Sequence, residues 1–303
     1  MTGADELPEF PEFRNLSLKD KAFLDMLFKQ MQPQISELTF TNLYVWKDAE
    51  PVQLTRVNET VLLRRKRIGD GKNVFLPPLE REPILGVLRR MKDATIDRHS
   101  EMLLYGIDSE QGRQLGLEGY RVEPDRDDWD YVYLTSDLAY LQGDKYHSKR
   151  NFVTRCLSNY KCEYKKIDSP VVNDCLQLQT EWCDLRKCGS VPGLEAENKA
   201  IKTIFDNYDQ LGVSGGAIYV DGRLEAFTLA EALNNDAAVI HFEKANPEII
   251  GLYQLTNQWF CQNALRTYRY VNREQDLGIP GLRKAKLSYH PHHMVEKYIA
   301  TIT

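Results

Sequence analysis

Apolar residues recur along this chain at two spacings, and the switches between them mark out its elements. Phe23, Leu24, Leu27, Phe28 and Met31 fall at helical spacing. They follow Ser17 as N-cap, with Asp20 three residues on in place of the usual glutamate, so the stretch predicts an amphipathic helix. Residues 35–47, which hold Phe40, Leu43, Tyr44 and Trp46, read as a second helical or mixed segment with core aromatics. From 51 to 67 the pattern tightens to alternation around Asn58-Glu59, the signature of a hairpin. A strand over 73–79, a helix over 81–93 with a basic end, a strand over 101–107, a short helix over 109–116 and strands over 120–124 and 130–135 follow.

The second half opens a similar series. A long helical stretch is expected over 136–160, a strand over 161–167, and helices over 169–185 and 193–212, the last closed by Gly212. Asp221-Gly222 between two apolar runs predicts a hairpin over 214–233. Then come a strand over 237–245, a helix over 249–265, a strand over 268–276 and a closing strand over 292–302. This order indicates an α+β fold with one mixed sheet per half, hence two similar domains in tandem, 1–135 and 136–303, although no sequence repeat links them.

Composition narrows the class. A chain of 303 residues with 42% hydrophobic and 27% charged residues is an ordinary folded protein long enough for two cores. No basic-then-apolar leader and no apolar run of about 20 residues is present, so a cytoplasmic protein without a transmembrane segment is expected. The six cysteines include no C-x-x-C, and reduced thiols are the expectation. A formal charge of -5 argues against wholesale coating of nucleic acid but allows a local basic cleft.

Three stretches carry such local charge. In residues 272–291 Asn272, Arg273, Glu274 and Asp276 precede Gly278-Ile279-Pro280-Gly281, and Arg283, Lys284 and Lys286 follow. The glycines permit a tight turn and Pro280 suits a first helical turn, whose free N–H groups would face an anion. Arg283 would grip phosphate or carboxylate. A surface junction with solvated charges is the alternative. In residues 145–156, Lys145, Lys149 and Arg150 share a helical stripe that could neutralise phosphates, with Asn151 as a hydrogen-bonding partner, or else form a solvated face. Arg64 to Arg67 form a third basic run, a candidate tRNA or membrane-surface contact. His290, His292 and His293 lack a carboxylate or cysteine at ligand spacing, so no metal is expected.

Residues 36–46, 145–156 and 271–291 together resemble the phosphatidylglycerol lysyltransferase C-terminal domain family in its stand-alone form, across almost the whole chain. The resemblance implies two tandem domains of the GNAT acyltransferase fold, as in the peptidoglycan aminoacyl ligases. It implies transfer of an aminoacyl group, with aminoacyl-tRNA as donor, to an amine or hydroxyl on a small-molecule, peptide or lipid acceptor. An aminoacyl ester is already activated, so no metal or redox cofactor is required; positioning, proton removal and oxyanion stabilisation suffice. By resemblance Lys286 faces the oxyanion, although Ala285 stands where relatives often carry Phe. Glu274 and Asp276 either orient the cations or accept the acceptor's proton. Glu243, on the strand bordering the cleft in such folds, is a candidate general base, and His241 alternates with it around Phe242. Acyl-CoA chemistry is disfavoured because the turn before the helix at 249–265 offers one glycine, Gly251. A non-catalytic ligand-binding module and an acyl-CoA-dependent N-acetyltransferase remain the alternatives.

Overall fold

The computed structural model describes residues 6–67, 71–79, 83–94 and 102–302. The chain divides into two compact units, residues 1–129 with 295–303, and residues 130–294. The expected division at 135/136 therefore moves. Residues 130–135 belong with the second unit, and the C-terminal nine with the first, because each sheet takes in a strand from beyond its own stretch of chain.

In the first unit, β1 (Arg14–Asn15), β2 (Val52–Val57), β3 (Thr60–Lys66), β4 (Asn73–Phe75) and β5 (Met102–Ile107) lie in that order, followed by the C-terminal β14 (Tyr298–Ile302) and then β6 (Arg121–Pro124). Among the described strands β4 and β5 pair in parallel, at Phe75 and Leu104. The hairpin of β2 and β3 turns at Asn58, whose φ is 53°. The helix expected behind Ser17 is α1 (Lys21–Met31), preceded by a 3₁₀ turn in which Asp20 accepts from the Ser17 backbone at 2.8 Å. After α2 (Phe40–Val45), helices α3 (Ile84–Ala94) and α4 (Ser109–Leu117) supply Val87, Leu88 and Leu115 to a core with Leu62, Leu104 and Ala300. One ion pair is fully buried here: Lys297 Nζ donates to both carboxylate oxygens of Glu37, at 2.8 and 2.7 Å, and the Tyr105 hydroxyl donates to the same carboxylate at 2.9 Å.

The second unit repeats the pattern. Its sheet runs β13 (His293–Val295), β7 (Asp130–Leu134), β12 (Tyr270–Asn272), β11 (Ala237–Ala245), β10 (Arg223–Ala232), β9 (Ser214–Val220) and β8 (Cys162–Lys166). Here too one neighbouring pair, β11 with β12, runs parallel. Strand by strand β1–β5 match β8–β12, and β14 beside β5 matches β7 beside β12. The predicted closing strand over 292–302 is thus two strands in two sheets.

Helices α5 (Thr135–Tyr140), α6 (His147–Asn159) and α10 (Leu252–Asn263) cover one face, joining Ile218, Ala226, Ala238 and Ile240 through Leu138, Val153 and Phe260. The other face meets α7 (Ser169–Arg186) and α8 (Pro192–Asp206), where the Phe205 ring stands 5.4 Å from Phe227 and Lys244 sits 3.8 Å over Trp182. Asp221 and Gly222 both take positive φ, 50° and 89°, as a two-residue hairpin turn requires.

Two expectations fail in this unit. The helical stretch over 136–160 is broken, because Leu141 and Gly143 take positive φ and the freed carbonyls of both accept from the Arg150 guanidinium. The thiols are not all reduced: Lys187, at φ 53°, ends α7 and brings Cys188 to a Cα distance of 5.0 Å from Cys183, where the two form a disulfide.

Lys297→Met strands the Glu37 carboxylate in the core and is expected to destabilise the chain by about 3–5 kcal/mol, most of it recovered in the Glu37→Gln/Lys297→Met double variant. Urea unfolding measures both; a single-variant loss under about 1 kcal/mol would contradict the buried pairing.

Candidate functional site

The second sheet opens beside β12. Three residue pairs, ending at Val239 and Asn272, join β11 to β12. Beyond them the chain stays with β7, Arg273 N–H donating to the Tyr131 carbonyl at 2.9 Å and Tyr131 N–H to the Glu274 carbonyl at 3.2 Å, while β11 runs on beside β10 to Ala245. A bulge sharpens the parting. Leu229 and Ala230 of β10 face Phe242 and Ile240, leaving His241 as the extra residue. It also shifts the alternation, so that Ala238, Ile240, Glu243 and Ala245 face the α10 side.

Side chains span the gap. Arg273 Nη2 donates to Glu243 Oε1 at 3.2 Å, and Asn257 Nδ2 of α10 donates to Oε2 at 3.2 Å. The Arg273 guanidinium lies 5.0 Å from the Tyr289 ring and 5.8 Å from that of Tyr133. His241 is held between Glu231, 2.8 Å from Nε2, and Glu274, 2.9 Å from Nδ1. Burial disfavours its charged form, but the hydrogen bonds to Glu231 and then Glu274 outweigh this and push its pKa up to about 10. It is a satisfied imidazolium.

Below the gap, α11 (Pro280–Leu287) carries the basic motif. Lys286 Nζ donates to three successive carbonyls, Arg273 at 2.7 Å, Glu274 at 3.0 Å and Gln275. They converge because Glu274 takes a φ of 56°. Burial, with Arg273 nearby, brings the Lys286 pKa down to about 8 against the opposing pull of Glu274. Asp276 is also fully engaged. It accepts from Arg283 at 2.8 and 2.7 Å, from Tyr131 at 2.5 Å and from the Gly278 backbone at 2.9 Å. These bonds overcome its burial and hold its pKa well below the usual carboxylate range. The anion expected at the start of α11 is therefore the chain's own carboxylate, and Arg283 serves it.

The other expected residues are dispersed. Asn272 Nδ2 donates to Asp130 at 3.0 Å, and its Oδ1 accepts from the Glu274 backbone at 2.7 Å. Lys145 lies in a 3₁₀ turn, paired with Asp137 at 3.0 Å, so the Lys145–Lys149–Arg150 stripe does not form. Arg150 secures the α5–α6 turn, and Asn151 contacts His147 at 3.1 Å. Lys149 reaches the site instead, donating to Ser288 Oγ at 2.6 Å and sitting 4.1 Å over Tyr289. Lys284 is exposed on an open depression of about 550 Å³ lined also by Gly278, Pro280, Leu287 and Ser288. Asn257, Thr228, Tyr133 and Tyr289 are site residues that the motif reading passed over. Their signal was a buried polar group, such as Thr228 between Ala226 and Ala230, in an otherwise apolar run.

The amino end of α10 packs closely on α6. Gly251, its N-cap at φ 90°, packs so tightly on α6 that a Cβ there would lie 2.0 Å from the Phe152 carbonyl oxygen. No helix among the described residues is long and apolar enough to cross a membrane.

With this geometry in view, comparison with known proteins is informative. The model of the family "phosphatidylglycerol lysyltransferase, C-terminal" matches residues 28–301. A conserved Bacteroides thetaiotaomicron protein of unknown function is 31% identical, with 96% of this chain and 99% of that one covered and a TM-score of 0.87. The C-terminal domain of a proposed lysylphosphatidylglycerol synthetase of Agrobacterium fabrum is 12% identical over 94% and 92% of the two chains, TM-score 0.65. A tandem GNAT protein from the clavulanic acid biosynthesis pathway is 12% identical over 96% and 98%, TM-score 0.51. The fold is thus a GNAT-like pair of mixed sheets, each flanked by helices. A curated Mycoplasmoides gallisepticum relative, 22% identical over 178 residues, is covered over only 56% of its length.

The His241 pKa is raised from about 6.5 unfolded, so its stabilisation is complete below that pH and disappears as pH rises through about 10. His241→Gln is expected to cost about 3 kcal/mol at pH 6 and to flatten the fall in stability between pH 6.5 and 10. Denaturant titrations of both proteins across that window decide the matter; an unchanged slope would rule out the imidazolium.

Proposed function

Because the chain belongs to the phosphatidylglycerol lysyltransferase C-terminal family, we propose that it transfers an aminoacyl group from charged tRNA to an amine or hydroxyl acceptor. The observation that carries this reading is the parted β11–β12 edge, bridged by Glu243 and Arg273 with the Lys286 ammonium behind it. An acyl ester entering there meets a carboxylate to take the nucleophile's proton and two cations to stabilise the oxyanion. Glu243 is the base on this reading. Lys286 contributes its charge across the loop rather than a free N–H, because its three donors are spent on carbonyls. Asp276 acts by fixing Arg283 and the turn and is not proposed as a base.

The turn before α10 offers the single glycine Gly251, packed against the Phe152 carbonyl, and this supports a tRNA donor over acyl-CoA, whose diphosphate a glycine-rich helix start would cradle. One observation favours a second reading, binding without chemistry: the saturated donors of Lys286. In that case charged tRNA is bound and recovered with its ester intact.

Binding of charged tRNA, uncharged tRNA and acyl-CoA at two salt concentrations is expected to rank charged tRNA first. Release of labelled amino acid from charged tRNA into a panel of amine and hydroxyl acceptors then tests chemistry. Glu243→Gln is expected to slow it by about 10²–10⁴ with tRNA affinity unchanged. The Lys286 charge titrates near pH 8, so the rate falls above that pH, and Lys286→Arg abolishes the alkaline limb even where it lowers the rate. Equal rates for the wild type and Glu243→Gln would remove the assignment.

A further inference from the structure

Four of the six cysteines lie in two neighbouring pairs. Cys156 and Cys162 hold their sulfurs 4.0 Å apart as thiols, and burial pushes the Cys156 pKa up to about 12, so that pair stays protonated and unreactive. Cys183 and Cys188 are bonded to each other, and both line an open depression of about 400 Å³ at the turn from α7 to α8. Two exposed cations, Lys187 and Lys202, line the same depression against one carboxylate, Asp184. A small molecule entering there meets the disulfide and a net positive charge.

One buried atom beside the disulfide suits its reduced form. Gln179 of α7 is fully buried, and its Nε2 donates to Asn198 Oδ1 of α8 at 3.2 Å and lies 3.6 Å from Cys183 Sγ. Its Oε1 has no hydrogen-bond partner among the described residues. A disulfide sulfur has no hydrogen to offer that oxygen, whereas a Cys183 thiol does. The dithiol form therefore gains a hydrogen bond where the disulfide form leaves a buried acceptor unpaired. Other contacts hold the two helices together without the disulfide. Asn198 joins α8 to α7, and Lys244 both pairs with Glu197 of α8 at 2.6 Å and lies over Trp182 of α7. Once parted, the two sulfurs stay close enough to rejoin.

We propose that Cys183–Cys188 is a reversible thiol–disulfide exchange site for a small thiol bearing carboxylates, in which Cys188 takes the adduct and Gln179 Oε1 receives the Cys183 thiol. The incoming thiolate attacks Cys188 Sγ, a bond forms between the two sulfurs, and the Cys183–Cys188 bond breaks. Its electron pair leaves on Cys183 Sγ, which takes a proton from water and donates it to Gln179. A second thiolate then attacks the sulfur of the bound thiol and releases it as the small-molecule disulfide, leaving Cys188 as a thiolate. Two thiols are thus oxidised as the protein disulfide is reduced. Lys187 and Lys202 draw the carboxylates of the thiol to the depression.

The test uses the folded full chain, glutathione as a tripeptide thiol with two carboxylates, and 2-mercaptoethanol as an uncharged one. Samples are quenched with acid and mapped by mass spectrometry. The first glutathione adduct is expected on Cys188, and Cys183→Ser, which cannot expel it, traps it there on treatment with oxidised glutathione. Gln179→Met is expected to shift the exchange equilibrium about fivefold toward the disulfide. Lys187→Gln/Lys202→Gln is expected to slow glutathione about fivefold while leaving the 2-mercaptoethanol rate unchanged. A disulfide that yields to either thiol only after denaturation overturns the proposal, as does a first adduct on Cys183. An equilibrium unmoved by Gln179→Met overturns the part assigned to Gln179, and equal slowing of both thiols overturns the preference for carboxylates.

Discussion

Three consecutive carbonyl oxygens, those of Arg273, Glu274 and Gln275, converge on the Lys286 ammonium, and the polar architecture of the second unit depends on that convergence. In an extended strand successive carbonyls point opposite ways. Bringing three to one point requires a residue in the left-handed region, here Glu274, at a cost of roughly 1–2 kcal/mol. An ammonium on a flexible stem is the side chain that offsets it, because it brings three donors and a charge to one atom. With the loop fixed, the Arg273 side chain is delivered to Glu243, the Glu274 carboxylate to His241, and Asp276 to Arg283.

The charges so gathered are matched close to where they lie. Glu243 faces Arg273, His241 lies between two carboxylates, and Asp276 takes both arms of Arg283. Pairing of this kind contributes little net stability once desolvation is counted, but it fixes geometry. The first unit, with the same strand order, buries Glu37 against Lys297 and Tyr105, and there the carboxylate takes three hydrogen bonds. In the second unit the neighbours of Glu243 are left with polar atoms to spare. Dipoles held in place before a substrate arrives need no reorganisation during reaction, which is where a preorganised site gains its rate.

Local chemistry in the sequence carried much of the fold. Ser17 with Asp20, Asp221-Gly222 and Pro280 each act at short range, and each sits where its residue type requires. Long-range consequences were hidden. Nothing near residues 298–302 announces pairing with β5, and nothing near Cys183 announces that Lys187 will reverse the chain. The motif at 272–286 was legible as a charged constellation, but its internal bookkeeping was not. A sequence shows that Arg283, Lys284 and Lys286 are cationic; only the folded loop shows that Arg283 and Lys286 are committed to Asp276 and to backbone carbonyls, leaving Lys284 exposed. His241 likewise looked like one of an alternating pair until the bulge made it the extra residue.

The packing of α10 on α6 bears on how a donor would be recognised. A helix start that accepted a diphosphate would read the carrier through backbone N–H groups, whatever acyl group it bore. With one glycine in that turn, packed against Phe152, the proposed reading moves the burden to the acyl end, at the parted edge bridged by Glu243 and Arg273. On that reading contacts to the carrier's phosphates would come from side chains such as exposed Lys284, which screen readily in salt. Selectivity would reside at the acyl end and affinity in exposed charge. That division would let one site discriminate among acyl groups while its hold on the carrier stays weak enough to release it.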